Sequence, residues 1–251
     1  LYYGKDAFDG LNICEHIAAG TLGELDDQVQ QRLDRKPAPA PARPASTAPT
    51  QATSEPGPLQ ETDVPSPPFL GSRVQREIDL DEIYPYINTT ALFRGQWGFK
   101  RGSMDKEEYE ESIRTEAEPV LERLKHQLKD EGVLRPEVVW GYFHCNSEGN
   151  DLLVYDPKDA ERVIQRFSFP RQHARQRRCI SDFFRPVDSG VLDVIGFHCV
   201  TMGNEVSRRA RILFEDDAYQ EYLFVHGMGV ETAEALAELW HARIRRELGI
   251  E

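Results

Sequence analysis

Ten of the sixteen prolines in this 251-residue chain fall between Pro37 and Pro68, mixed with Ala, Ser and Thr and almost no large apolar side chain. A stretch of that kind cannot offset its ordering entropy by burying surface, so it is expected to be an extended, mobile tether. It partitions the sequence into a short unit over residues 1–20, a Pro/Ala-rich linker over 21–70 and a folded unit over 71–251. With 39% hydrophobic and 10% aromatic residues overall, the chain has enough apolar material for a core once the tether is set aside.

Charge excludes two partner classes. Thirty basic against forty-three acidic side chains leave a net charge of −13, which repels nucleic-acid backbones and anionic lipid surfaces. No run approaches the roughly 18 apolar residues that span a bilayer, and Leu1-Tyr2-Tyr3-Gly4-Lys5 lacks the layout of a signal peptide. Cys14, Cys145, Cys179 and Cys199 are widely spaced and form no Cys-x-x-Cys pair, so reduced thiols in a cytoplasmic setting are expected and no metal is assigned.

The periodicity along the chain predicts an α+β fold in which helices flank a twisted antiparallel sheet. Residues 1–20 read as the end of a strand, a turn and a helix with Phe8, Leu11 and Cys14 on one face. Because the sequence opens on Leu1 inside that strand, it is expected to continue upstream. Beyond Phe69, an aromatic stretch from Thr89 to Phe99 precedes a long helix capped by Ser103, with Tyr109, Ile113, Ala117, Leu121, Leu124 and Leu128 as its buried stripe. Pro119 is expected to kink or split that helix. Val138–Cys145 and Leu152–Tyr155 read as two strands joined by a hairpin, followed by Val163–Phe169 and Val191–Val200. From Asn204 onward the pattern is helical, and Ala233, Ala237, Trp240, Ile244 and Leu248 share one face of the last helix.

Four blocks carry a family resemblance, in order and at compatible spacing: Tyr86-Ile87-Asn88 running into Leu92-Phe93-Arg94-Gly95-Gln96-Trp97-Gly98, Gly141 through Asp151, Ser181-Asp182-Phe183, and Trp240-His241-Ala242-Arg243-Ile244-Arg245. Together they resemble the activation domain of cobalamin-dependent methionine synthases over residues 74–251. Tyr3 to Gly10 is similar to the last strand and helix of that family's Rossmann-like cobalamin-binding domain, so residues 1–20 are expected to be its C-terminal end.

The resemblance implies a repair reaction. Cobalamin that has drifted to an inactive oxidised state is returned to its methylated form with one electron from a flavodoxin-type reductant and a methyl group from S-adenosylmethionine. The implied partners are the cobalamin domain of the same enzyme and that reductant. The parent activity is transfer of a methyl group from methyltetrahydrofolate to homocysteine, and the chain alone is not expected to turn over. The nucleophile and electrophile in such a step belong to the cofactors, so no catalytic side chain is assigned and the protein's task is positioning.

Three residues are expected to bind S-adenosylmethionine. Asn88 occupies a position where the family often has aspartate, keeping a hydrogen-bond acceptor while losing the charge. Glu234 matches a glutamate early in the last helix. Arg94, between glycine and aromatics, suits bidentate contact with a carboxylate or phosphate, with a surface ion pair as its competing reading. The family's Arg-x-x-x-Gly-Tyr-Pro-Ala-Cys-Pro loop is expected downstream of Glu251, and its absence is expected to weaken binding. The alternative is a docking module that keeps the fold and has lost cofactor affinity; an unrelated hydrolase ranks last, for want of a nucleophile elbow or phosphate loop.

Other chemistry-bearing residues have plainer readings. Glu234, Glu238, His241 and Arg245 also fit a solvated helix face with i,i+4 pairs, and the role of His241 stays open. Phe93, Trp97 and Phe99 read as core. Arg171, Arg175, Arg177 and Arg178 with His173 read first as a solvated loop and second as a steering patch for an acidic reductant. Asn146, Glu148, Asn150 and Asp151 lack the pattern of a calcium loop and read as turn residues. Cys145 and Cys199 are expected to be buried in strands, and His144 and His198 to be structural.

Overall fold

A computed structural model of the protein describes residues 63–173 and 177–250. The expected strand and helix of residues 1–20, most of the expected linker, and Arg175 lie outside the described residues.

Five strands form one antiparallel sheet: β1 (Gly71–Gln75), β2 (Glu137–Glu148), β3 (Asp151–Asp156), β4 (Asp159–Ser168) and β5 (Asp193–Thr201). The twelve-residue β2 organises it. Its first half pairs with β1, Val138 to Tyr142 against Gln75 to Gly71, and its last residues pair with β3, Cys145 against Val154. Along its other edge β2 pairs with β5 from Glu137↔Thr201 to Cys145↔Asp193. The β2–β3 connection is a two-residue turn between Glu148 and Asp151 in which Gly149 takes φ +61, the left-handed conformation that tight hairpins demand. A register shift at Val154/Tyr155 bends β3 against β4.

The sheet has two unlike faces, because strand side chains alternate. On one, Val138, Trp140 and Tyr142 of β2 meet the helices: Trp140 packs edge-on against Trp240 at 5.1 Å, and Gly196 of β5 leaves just enough room for Ile244. On the other, Phe143, Phe197 and Phe167 form an aromatic row across β2, β5 and β4. Residues 63–70, placed with the linker by sequence, lie against the domain: Val64 and Phe69 pack on the core, with Phe69 edge-on to Trp140 and Tyr142.

The helical layer begins with α1 (Leu80–Ile83), whose N-cap Asp79 accepts from the Asp81 amide, followed by a 3₁₀ turn at Tyr84–Tyr86. The aromatic stretch is a π-helical segment, Ala91–Gln96. The long helix predicted after it is real but composite. Its cap is Asp105 and not Ser103: the Asp105 side chain accepts from the Glu108 amide at 2.9 Å while the Glu108 carboxylate accepts from the Asp105 amide, a capping box that Ser103 stands too far upstream to form. From there α2 (Lys106–Ser112) passes through a π-helical segment (Ile113–Ala117) into α3 (Glu118–Asp130). Pro119 sits in the first turn of α3, where the missing N–H costs least, and the irregularity falls just before it. Tyr109, Ala117, Leu121, Leu124 and Leu128 are buried as predicted.

The C-terminal layer is α4 (Glu205–Glu215) and the thirty-residue α5 (Tyr219–Leu248), which ends on Gly249 in the left-handed cap conformation. The buried stripe of α5 runs through Phe224, Met228, Glu231, Ala235, Leu236, Trp240 and Ile244, so Ala233 and Ala237 lie at its margin and not at its centre. None of the described helices is long and apolar enough to cross a membrane.

Candidate functional site

The site begins with a local capping decision. Asn88 follows the 3₁₀ turn, and its Oδ1 accepts the Ala91 amide at 3.1 Å while its backbone carbonyl accepts from Leu92 at 2.9 Å. It therefore caps the segment that carries Arg94. An Asn in this role needs only its oxygen, and its Nδ2 group makes no hydrogen bond among the described residues.

Within the segment, Leu92 and Phe93 face the core and Arg94 faces outward. The aromatics behave as expected: Phe93 and Trp97 are buried with their rings tilted and 5.4 Å apart, and Phe99 lies parallel to Phe224. Neither reading of Arg94 anticipated its partner. Its Nε donates to the Tyr109 hydroxyl at 3.0 Å, with the guanidinium over the Tyr109 ring at 5.1 Å, and the same hydroxyl donates to the Phe99 carbonyl. Tyr109 thus fixes the arginine by one edge and leaves the two Nη groups to accept a planar anion.

Helix α5 runs along this segment in the opposite direction. Trp97 Nε1 donates to the Phe224 carbonyl at 3.2 Å, Gln96 Nε2 to Glu231 at 3.3 Å, and Arg243 pairs with Glu82 at 3.7 Å. Gly227 allows the close approach, since a Cβ there would stand 2.7 Å from the Gln96 Cβ. Glu234 lies on the helix between the Glu231 and Arg243 contacts, and Asn88 lies on the segment between Glu82 and Gln96. Both side chains are exposed. No hydrogen bond or ion pair joins Asn88, Arg94 and Glu234 to one another among the described residues, and the Glu234 carboxylate makes none to any other group there. Three clefts among the described residues lie elsewhere: beside Tyr84, Lys125 and Lys129, about 300 Å³; between Met202, Val206 and His226; and beside Arg76, Leu134 and Glu137.

Glu231, missing from the sequence-based site, is the most unusual group here. It is 2% exposed, its Oε1 has only the Gln96 amide, and its Oε2 has no partner. Burial pushes its carboxyl above the ordinary range, the Gln96 hydrogen bond works against that, and the Glu234 charge adds to it. The signal was present: positions 224, 228, 231 and 235 share the buried helix face, and a glutamate on that face has to be explained.

Other expectations resolve structurally. Arg171 is not a free basic residue of a steering patch. It forms a bidentate pair with Asp182 at 2.7 Å, largely sheltered from solvent, and holds that carboxyl below its usual range. Asn146 Nδ2 donates to the carbonyls of Arg185 and Val191, and Glu148 and Asp151 both bind Arg166, so these turn residues pin loops and strands. Cys145 is buried as expected, but Cys199 is exposed. His198 is held below its ordinary pKa first by burial and then by nearby His241, whose ring stands 4.0 Å from Glu238.

An antiparallel sheet with a long closing helix, and a capped segment carrying polar groups along that helix, define an α+β domain with no nucleophile–base pair among the described residues. The model of the vitamin B12-dependent methionine synthase activation domain matches residues 79–249, and the chain belongs to that family. It is 37% identical over 270 residues to the methionine synthase of Mycobacterium tuberculosis (strain ATCC 25618 / H37Rv) and 34% identical over 273 residues to that of Mycobacterium leprae (strain TN). Each alignment covers 99% of this chain and 23% of the relative, so the chain spans about a quarter of the length of these relatives. Among solved structures, the MetH reactivation domain bound to AdoHcy matches with a TM-score of 0.66 at 25% identity, over 76% of this chain and 60% of that one. The predicted α+β architecture with an antiparallel sheet agrees with that neighbour.

Proposed function

We propose that this domain binds S-adenosylmethionine along the seam between α5 and the Asn88–Gln96 segment, as the reactivation module of a cobalamin-dependent methionine synthase. The observation that carries the reading is Glu234: an exposed, unpaired carboxylate on the helix that lines a segment with Asn88 at its head and the half-held Arg94 within it. The donor set fits the ligand. S-adenosylmethionine presents an α-ammonium, a sulfonium and an α-carboxylate; Glu234 suits the cations, Arg94 the carboxylate and Asn88 Nδ2 a neutral acceptor. The AdoHcy-bound neighbour supports the same ligand class.

When bound, the ligand supplies an electrophilic methyl group. The chain's own residues bind and orient it, which accounts for a site without a general base. Cobalamin would be held by another domain, since no described residue is assigned to it. Methyl transfer from methyltetrahydrofolate to homocysteine, a flavodoxin-type reductant and docking to the cobalamin domain of the same enzyme complete the proposal.

Calorimetric titration of S-adenosylmethionine into the intact protein tests it. Saturable binding is expected, with Glu234→Gln weakening it about tenfold, the equivalent of about 1.4 kcal/mol. Binding unaffected by changes at Glu234 and Arg94 would remove this site. Absence of binding even after Asn88→Asp would leave the docking-module alternative.

A further inference from the structure

The last helix buries a carboxyl group that the ligand reading leaves unused. Glu231 lies one turn before Glu234 and is 2% exposed, with one oxygen bonded to Gln96 at 3.3 Å and the other without a partner. An ionised carboxylate in such a place is costly, because one long hydrogen bond from a neutral amide compensates little of the lost hydration. A neutral carboxyl removes most of that cost. Among the described residues no cation holds the charge. Gln96 across the interface is neutral, and Arg94 on the same segment is turned to Tyr109. Arg243 farther along α5 is engaged by Glu82, and His198 of β5 interacts with His241 and Glu238. Among the described residues the one charged group that acts on Glu231 is Glu234, and it repels.

From this geometry we propose that Glu231 is a positioning residue, which clamps the Ala91–Gln96 segment to α5 as a neutral carboxyl and releases its proton when a cation docks at Glu234. The clamp half follows from the Gln96 contact, which fixes the spacing between the segment bearing Asn88 and Arg94 and the helix bearing Glu234. The release half rests on the proposed function: burial is the main reason the carboxyl is neutral, and a cation at Glu234 opposes it by replacing repulsion with attraction one turn from Glu231. The proton goes to solvent, and no other bond changes.

The first arm of the test needs no ligand. Thermal unfolding of the protein and of Glu231→Gln is followed from pH 4 to pH 8. A carboxyl whose folded pKa is raised binds its proton more tightly folded than unfolded, so it destabilises the fold progressively as pH rises from the unfolded value. The isosteric amide carries no such penalty. The expected result is a Tm difference in favour of the variant that grows with pH by about 2–4 °C; a difference that stays flat across the range overturns the proposal. Glu231→Leu, which fills the space without the hydrogen bond, distinguishes the clamp: lower affinity for S-adenosylmethionine than Glu231→Gln supports it, and equal affinity for the two overturns it. The second arm is titration of S-adenosylmethionine near pH 6 in two buffers of different ionisation enthalpy. Proton release by the parent that is lost in Glu231→Gln supports the release half, and binding without proton release overturns it. If the parent does not bind S-adenosylmethionine at all, the functional reading and the release half fall together, while the unfolding arm still decides whether the buried carboxyl is neutral.

Discussion

Asn88 caps a helical segment with one side-chain atom and has another to spare for the proposed ligand. As a cap it spends its oxygen on the Ala91 amide and keeps its Nδ2 free, so its two possible roles separate by substitution. Asn88→Ala should cost about 1 kcal/mol of stability, the usual loss for a deleted cap, and thermal unfolding reads it directly. Asn88→Asp keeps the cap, exchanges the Nδ2 donor for a second carboxylate oxygen, and adds a negative charge near the proposed cationic ligand, whose attraction outweighs the lost donor. Its Tm is expected to stay within about 2 °C of the parent while S-adenosylmethionine affinity rises, the two measurements being unfolding and calorimetry. The sequence offered Asn88 and Glu234 by resemblance and Arg94 from its glycine and aromatic neighbours, and packing explains what these readings left out. Tyr109 was read only as a stripe residue, because a hydroxyl serving an arginine and a carbonyl fifteen and ten residues away leaves no trace in periodicity. Glu231 was passed over because a charged residue in a helix is read as solvated until its face is known.

At the level of elements, legibility followed side-chain contrast. β2, β3 and β5 are dense in apolar and β-branched residues and were found within a few residues of their ends. β1 was missed, since only Val74 among its five residues is a large apolar side chain and four of the five are exposed. The two π-helical segments were unreadable for another reason: they differ from α-helix only in the span of the backbone hydrogen bond, i→i+5 in place of i→i+4, which composition does not report. Gly227 marks where such packing is tightest. Gly227→Ala would place a methyl 2.7 Å from the Gln96 Cβ and 2.8 Å from Trp97 Nε1, and it should cost about 1–3 kcal/mol in denaturant unfolding despite its better helix propensity. The loop before β5 is built on a different force. The Arg171–Asp182 pair holds the Asp182 carboxyl below its ordinary value, so its contribution is complete above the unfolded carboxylate pKa and is lost as pH falls through the depressed folded one. Asp182→Ala should therefore destabilise by about 3 kcal/mol at neutral pH and flatten the acid limb of the stability profile measured below pH 4.

For the whole molecule, the question is how a sheet and a helical layer hold two distant polar groups in register. The joint is α5. Trp240 lies against Trp140, Ile244 sits over Gly196, and the Tyr142 hydroxyl donates to Glu247 at 2.6 Å, so three consecutive turns of the helix are fixed to β2 and β5. On its other side the same helix meets Glu82, Gln96 and Trp97. Displacing α5 therefore moves Glu234 relative to Asn88 and Arg94, which stay with the segment. Trp240→Ala opens a cavity at that joint and should lower stability by about 3–5 kcal/mol. It should weaken S-adenosylmethionine binding as well, although Trp240 is fully buried and cannot touch a ligand at the exposed seam. Glu234→Gln makes the opposite pairing: affinity falls and Tm stays where it was, since an exposed carboxylate without a partner contributes little to stability. The contrast is the decisive measurement. If Trp240→Ala lowers Tm and leaves affinity intact, the sheet does not position the ligand through the helix, and the site must be sought away from this seam.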